Sequence, residues 1–381
     1  MRAVVMFAVL AACTRPGEHR AEQELDVGRA EVTDASVVVA NGLAAVREIT
    51  DHKLTLWANA PTLDIELTIG STAGGEWTLV VHNTLLDNQL VTDGAAPLDR
   101  MGGDADLSTT ATFTLPLAPG VHTLRVVAPD ADTAGPFQVA AMADIQTAMP
   151  EVDDVFRAIS AVPDLRFVVA MGDITERAQD DEYDLFERQL AYLRVPYFTT
   201  LGNHELWAPA DHYFERFGRA SFHFSFKDVE FTFADSGDAD IDPTVDGWIK
   251  QWIQDSKTKT HVFLTHIPPI DPVGLRYGGF RSTRDGEKLL AELSDGLVDL
   301  TLYGHIHTFI DFENAGIPAF VSGGGGAAPM KGDGIERHFL VVTFDATKTD
   351  ASELYGHAGR PGGVRAVELH CVDDCDRSET K

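Results

Sequence analysis

Between residues 31 and 136, apolar and polar positions alternate with a period of two. Leu63-Asp64-Ile65-Glu66-Leu67-Thr68-Ile69 changes character at every step, as a strand must when one face meets a core and the other meets water. Residues 77–81, 111–117 and 122–127 repeat the pattern. Turn residues separate them at Gly74-Gly75, Asp93-Gly94, Met101-Gly102-Gly103 and Pro119-Gly120. No helical period interrupts the stretch, so it predicts an antiparallel all-β sandwich of about seven strands. After Pro136 the texture changes. Apolar runs at 137–143, 167–171, 197–200, 222–226, 229–233, 262–265, 300–303, 319–322 and 339–344 read as buried strands. Between them, Val152, Val155, Phe156 and Ile159 fall at helical spacing, as do Leu185, Phe186, Leu190 and Leu193. Trp248, Ile249, Trp252 and Ile253 mark a third helix, and Leu289, Leu290, Leu293 and Leu297 a fourth. Strands alternating with helices predict an α/β domain.

A chain of 381 residues suits two such domains. The segment 118–124 also resembles the last hairpin of an immunoglobulin-like domain, which makes the expected sandwich immunoglobulin-like. The formal net charge of −29 repels nucleic acid and anionic surfaces. No nucleic-acid partner is expected, and a site for an anionic substrate must bring its own positive charge. The first residues, MRAVVMFAVLAAC, place one basic residue before an apolar run too short to span a bilayer. Leu10-Ala11-Ala12-Cys13 resembles a bacterial lipobox. That resemblance implies a signal peptide at 1–12, a lipid on Cys13 that attaches the protein to a membrane, and a lipoprotein of the cell envelope. The polar stretch 13–30 then reads as a tether. The expected order continues with the sandwich at 31–136, the α/β domain at 137–350 and a C-terminal tail at 351–381. Cys371 and Cys375 could close a local disulfide in an oxidising compartment or remain free thiols.

The chemistry lies where the strands of the second domain end. Strand 137–143 runs into Asp144-Ile145-Gln146. Strand 167–171 runs into Gly172-Asp173, and strand 197–200 into Gly202-Asn203-His204-Glu205. Strand 262–265 ends at His266, and strand 300–303 at Gly304-His305-Ile306-His307. Ligands of α/β sheets gather at the carboxyl ends of strands, so these five loops should converge. Carboxylates mixed with imidazoles suit zinc, iron or manganese better than calcium. So many donors exceed what one ion needs, and two ions sharing a carboxylate is the economical reading.

This ordered set resembles the calcineurin-like metallophosphoesterases over residues 137–345. The resemblance implies an α/β domain of two packed β-sheets flanked by helices, two divalent metal ions, and hydrolysis of a small phosphate-ester substrate. It implies that Asp144 and His307 hold the first ion, that Asp173 bridges both, and that Asn203, His266 and His305 hold the second. It further implies that a hydroxide bridging the ions attacks phosphorus while His204 assists the leaving oxygen. Asp173 and His204 are thus the catalytic candidates. Glu205 either orients His204 or is a solvated loop carboxylate, with the second favoured.

Two positions depart from the family pattern. Most members carry His two residues after the first Asp, and here the residue is Gln146. Its amide oxygen could hold a hard cation more weakly than imidazole does, which leaves the ions as manganese, iron, zinc or magnesium. The purple acid phosphatase branch, which also has an N-terminal β-sandwich, carries Tyr three residues after the Gly-Asp aspartate. Here that residue is Glu176, so an iron–tyrosinate centre is not expected. Gly323 to Gly326 could let backbone approach the site, and Tyr277 and Arg281 could meet a phosphate or leaving group. The competing reading is an envelope binding or adhesion protein with a weakened phosphoesterase domain.

Overall fold

The computed structural model describes residues 16–92, 94–101, 108–274, 278–329, 335–348 and 363–373. The chain begins there with helix α1 (Pro16–Glu24) and enters a set of nine strands: β1 (Arg29–Val32), β2 (Ala35–Val39), β3 (Ala44–Ile49), β4 (Lys53–Ala58), β5 (Leu63–Ile69), β6 (Gly75–His82), β7 (Gln89–Thr92), β8 (Ala111–Leu117) and β9 (Gly120–Val127). They form two sheets, in the orders β1-β2-β5-β9-β7 and β3-β4-β6-β8. The first is antiparallel throughout. The second contains one parallel pairing, β4 with β6. The alternation read from the sequence is the alternation of burial. In β5, Leu63, Ile65, Leu67 and Ile69 are buried while Asp64 and Glu66 are exposed. Those inward residues share one core with Leu56, Leu79 and Phe113 of the facing sheet, as layered packing requires.

The second domain has two sheets of its own. One joins β10 (Pro136–Met142), β11 (Leu165–Ala170), β12 (Tyr197–Thr199), β19 (His338–Asp345) and β20 (Val364–Cys371), in the order β12-β11-β10-β19-β20. The other joins β13 (Phe222–Phe226), β14 (Val229–Ala234), β15 (Thr260–Thr265), β16 (Leu300–Tyr303), β17 (Phe309–Asn314) and β18 (Ile317–Ser322), in the order β13-β14-β15-β16-β18-β17. β10, β11 and β12 run parallel, as do β14, β15, β16 and β18. Their carboxyl ends therefore point the same way within each sheet.

The inner faces of these sheets meet through phenylalanines. Phe137 and Phe167 of one sheet pack edge-on against Phe226 of the other, at ring separations of 5.1 and 5.4 Å. The outer faces are covered by helices: α2 (Asp153–Ser160), α3 (Asp180–Gln189) and α4 (Asp211–Phe217) on one side, α5 (Pro243–Ser256) and α6 (Thr283–Asp295) on the other. A strand buried on both faces reads as a continuous apolar run. In β10, Val139 and Ala141 face the opposite sheet while Ala140 and Met142 face the helices. The helix starts are capped. Asp242 accepts the Thr244 N–H before α5, with Pro243 in the first turn, and Ser282 accepts the Asp285 N–H before α6.

Specific polar contacts fasten the sandwich to this domain. The Asn83 side chain donates to the Tyr197 carbonyl (2.8 Å) and accepts its N–H (2.7 Å), so it acts as a one-residue strand on the edge of β12. Arg47 binds both carboxylate oxygens of Glu187 and the carbonyl of Arg216, with its guanidinium over Trp57.

Three expectations are corrected. The tether at 13–30 is not a tether over its described part, because α1 docks against the second domain. Arg20 bonds Asp235 and Asp238, and Glu24 accepts from Arg219 and the Ser221 N–H. Buried ion pairs, rather than an apolar stripe, hold this polar helix. The tail at 351–381 contains β20, which pairs antiparallel with β19. The described sandwich strands number nine rather than about seven. Residues 1–15, with Cys13 and the lipobox, and also Tyr277 and Cys375, lie outside the described residues. Cys371 is disulfide-bonded.

Candidate active site

The strand ends deliver their side chains to one place. Asp173, His266 and His305 each offer a ligand atom, and the three atoms lie within 4.8 Å of one another. His266 Nε2 is 3.2 Å from Asp173 Oδ2 and 3.1 Å from Asn203 Oδ1. His307 Nε2 lies 3.5 Å from Asp144 Oδ1. Gln146 bridges the two groups, because its amide nitrogen donates to Asp173 Oδ2 (2.7 Å) and sits 3.3 Å from His307 Nε2. His204 Nε2 is 3.9 Å from Asp173 Oδ2. The structure thus brings together all seven residues expected to hold metal, with His204 beside them. Asp144, Gln146, Asp173 and His305 hold backbone φ between 47° and 69°, a region that side-chain-bearing residues rarely occupy and that functional sites often retain.

Backbone carbonyls fix the imidazoles. A carbonyl oxygen only accepts, so the nitrogen facing it carries the proton. His266 Nδ1 donates to the Met171 carbonyl (2.6 Å), His307 Nδ1 to that of Ala328 (2.8 Å) and His204 Nδ1 to that of Glu176 (2.8 Å). Each Nε2 is thereby turned to the centre, which is the arrangement that orients metal-binding histidines.

The donor set fits divalent ions. The His266 lone pair faces two oxygens at close range, which is repulsive unless a proton or a cation lies among them. Burial disfavours a charged His266, yet the Asp173 and Asp144 carboxylates outweigh it and push its pKa up to about 9. The same negative field would hold a metal cation. Burial and the neighbouring His266 push His305 down to about 4, which keeps it in the neutral, ligating form. Asp173 is buried, and the nearby His266 and His204 hold its carboxyl well below the usual range. Asp144 Oδ1 is buried with no hydrogen-bond partner among the described residues, an orphaned acceptor of the kind a cation satisfies.

Glu205 is the residue the sequence reading undervalued. It is fully buried, not solvated, and its hydrogen bonds hold backbone, while His204 Nδ1 is oriented by the Glu176 carbonyl instead. One oxygen accepts the N–H groups of Asp173 and Gly202, and the other accepts the N–H and hydroxyl of Thr175. It therefore ties the loop after β11 to the loop after β12. Burial and the Asp173 charge raise its pKa, and these donors oppose the rise. Nothing in the local spacing distinguishes such a carboxylate from an exposed one.

Two glycines permit close approach. A Cβ on Gly202 would fall 2.1 Å from Asp173 Oδ1, and one on Gly323 would fall 2.3 Å from the Ile306 carbonyl and 2.9 Å from Asp144 Oδ2. Gly323 and Gly324 also line a groove of about 360 Å³ that runs from His307 to Arg337. The Arg281 guanidinium is exposed and lies 3.9 Å from the Asp238 carboxylate. His223 and His261 are held by Glu230 and Thr232 within the second sheet.

In sequence, residues 137–309 match the model of the calcineurin-like phosphoesterase family. These residues form a calcineurin-like phosphoesterase domain. The matched segment contains every residue of the cluster just described, and the protein is a hydrolase acting on phosphate esters. No curated protein matches the chain. Among solved structures, a purple acid phosphatase, PPD1, from yellow lupin (Lupinus luteus) seeds is similar at 14% identity and a TM-score of 0.49. That match covers 74% of this chain and 67% of the other. GAP50, titled the anchor in the inner membrane complex of Plasmodium, is similar at 14% identity, a TM-score of 0.45, and coverage of 64% and 90%. A dimetal phosphatase from Danio rerio is similar at 13% identity, a TM-score of 0.43, and coverage of 62% and 99%. At these scores the likenesses carry no part of the argument. The phosphoesterase reading rests on the family match and on the geometry of the site.

Proposed function

We propose that the protein hydrolyses an extracytoplasmic phosphate ester with two divalent ions, both of which Asp173 would help to hold, and with His204 protonating the leaving oxygen. The single observation that supports this most is the convergence of Asp173, His266 and His305 donor atoms within 4.8 Å at the strand ends. Bound divalent ions would neutralise the phosphoryl oxygens and provide a nucleophile at neutral pH. The positive charge that an acidic chain needs for an anionic substrate would then come from the ions. Asn203, His266 and His305 would hold one ion, and Asp144, Gln146 and His307 the other.

The chain's own groups divide the remaining work. The His204 N–H holds Asp173 Oδ1 at 2.9 Å, which fixes the carboxylate. The Glu176 carbonyl anchors His204 Nδ1 and leaves Nε2 as the nitrogen that can pass a proton to the leaving oxygen. The Glu176 carboxylate lies 3.6 Å from the same Nδ1. Glu205 keeps the loops bearing Asp173 and Asn203 in register.

The lipobox reading makes the protein an envelope lipoprotein held through Cys13. Only Thr14 and Arg15 separate that cysteine from Pro16, the first residue of α1, so the folded body would sit close to the membrane.

The test is metal-dependent turnover. The protein is stripped of metal, given manganese, magnesium, zinc or iron in turn, and offered a chromogenic phosphodiester and the matching monoester. Turnover that requires metal and drops by roughly 10²–10⁴ in His204→Ala is expected. The ratio of the two esters names the class. No turnover with any ion and either ester contradicts the proposal.

A further inference from the structure

Trp207 is the most exposed of the large hydrophobic side chains among the described residues, at 64%. It closes the short 3₁₀ turn His204–Trp207. Such a turn has three residues per revolution, so side chains at i and i+3 eclipse one another. The Trp207 indole accordingly lies flat against the His204 imidazole, with ring centroids 5.6 Å apart and planes 8° apart. The turn itself is held from below. Glu205 is buried among its four donors, and Leu206 packs on the apolar cluster under the helices. The indole is therefore presented to solvent by a fixed piece of backbone.

Single exposed apolar residues are ordinary on a protein surface. This one borders the group assigned to meet the leaving oxygen. His204 Nε2 points to the centre, 3.9 Å from Asp173 Oδ2. A leaving group that takes a proton from that nitrogen sits at the edge of the imidazole and hence next to the indole stacked on it. An aromatic face also binds a partner without adding negative charge, which suits a chain that carries −29. We propose that Trp207 is a specificity-determining residue, whose indole stacks with a planar ring in the leaving group of the phosphate ester. The favoured substrates are then esters of ring-bearing alcohols, aryl or base-bearing, in preference to simple alkyl esters. The proposal rests on the phosphoesterase reading with His204 at the leaving oxygen.

The experiment compares phenyl phosphate with glycerol 2-phosphate in the manganese-loaded protein, in wild type, Trp207→Ala and Trp207→Phe. Phenylphosphonate and methylphosphonate serve as unreactive competitors. Stacking of a ring on an aromatic side chain corresponds to roughly ten- to a hundredfold in affinity. Trp207→Ala is expected to raise KM for phenyl phosphate and Ki for phenylphosphonate by about that factor. The values for glycerol phosphate and methylphosphonate should move less than about twofold, and Trp207→Phe should recover most of the loss. An equal fall in kcat for both esters overturns the proposal, because Trp207 then only positions His204. Unchanged constants for both competitors overturn it as well. In either case the wild type still turns over, so the phosphoesterase reading survives. A wild type inactive on every ester with every ion removes that reading, and this proposal falls with it.

Discussion

Asp173, Asn203, His266 and His305 turn only acceptor atoms toward one another, whereas in the group of Asp144, Gln146 and His307, drawn together just as closely around His307, Gln146 turns an amide donor inward. In the first group His266 Nε2 lies within 3.2 Å of oxygens from both Asp173 and Asn203, and its ring is pinned by the Met171 carbonyl. In the second group an amide stands where the family usually has an imidazole. Its nitrogen is already committed to Asp173 Oδ2, and Asp144 Oδ1 has no hydrogen-bond partner among the described residues. For Gln146 to offer its oxygen to a cation, the amide must turn over and give up that bond. The difference teaches that, under the proposed two-ion reading, one half would accept a cation as it stands and the other would have to rearrange to hold one. Preorganisation is what separates tight from loose sites built from similar donors.

The largest effect is expected from breaking the finished half. Asp173→Ala or Asn203→Ala should remove the tightly held ion and lower turnover by at least roughly a hundredfold. Metal analysis after dialysis, read beside the rate, checks this. If Asn203→Ala keeps its metal and rate, the finished half is not the tight one.

The next effect is on stability. Glu205→Ala strands the N–H groups of Asp173, Thr175 and Gly202 in a buried place. A cost of about 3–5 kcal/mol is expected in denaturant unfolding. Glu205→Gln should also be costly, because an amide NH₂ would have to face backbone donors on one side. A loss under about 1 kcal/mol for Glu205→Ala would show that the loops are held otherwise.

A smaller effect should appear in the unfinished half. Gln146→His should tighten the weak ion by roughly tenfold, and Gln146→Ala should weaken it by less than the finished-half variants weaken theirs. Calorimetric titration with manganese reads both. Equal behaviour of Gln146→Ala and Asn203→Ala would erase the comparison.

A separate effect lies outside both halves, at the docked helix. Burial pushes Glu24 up to about 7, against the pull of Arg219 and the Ser221 N–H. A raised acid pKa means that the folded state holds the proton more tightly than the unfolded one. The associated stability is full below about pH 4.5 and is lost as pH rises through about 7, on the order of 3 kcal/mol at most. Glu24→Gln should flatten stability against pH over that window and leave metal binding untouched. An unchanged pH slope would contradict the assignment.

The convergence of the candidate ligands was legible because each follows an apolar strand, and parallel strands send their carboxyl ends to one side of a sheet. The pattern of a strand buried on both faces also gave the second domain its layers. Helix α1 was hidden for a physical reason. Its sequence, PGEHRAEQE, has no apolar stripe, and it is held by Arg20 and Glu24 through carboxylates and a guanidinium far away in the chain. β20, Val364-Arg365-Ala366-Val367-Glu368-Leu369, breaks its alternation at Ala366-Val367 and stands alone after a long polar stretch. Glu205 looks like any acidic loop residue until the loop after β11 arrives to donate to it. The β4–β6 pairing is a matter of topology, which local periodicity does not carry.

The most direct test of the central claim is manganese titration of the metal-stripped protein, followed together by calorimetry and by hydrolysis of a chromogenic phosphate ester. The account predicts one tight ion and one at least tenfold weaker, with turnover rising as the weaker site fills. Two ions of equal affinity, or turnover that needs no metal, would contradict it.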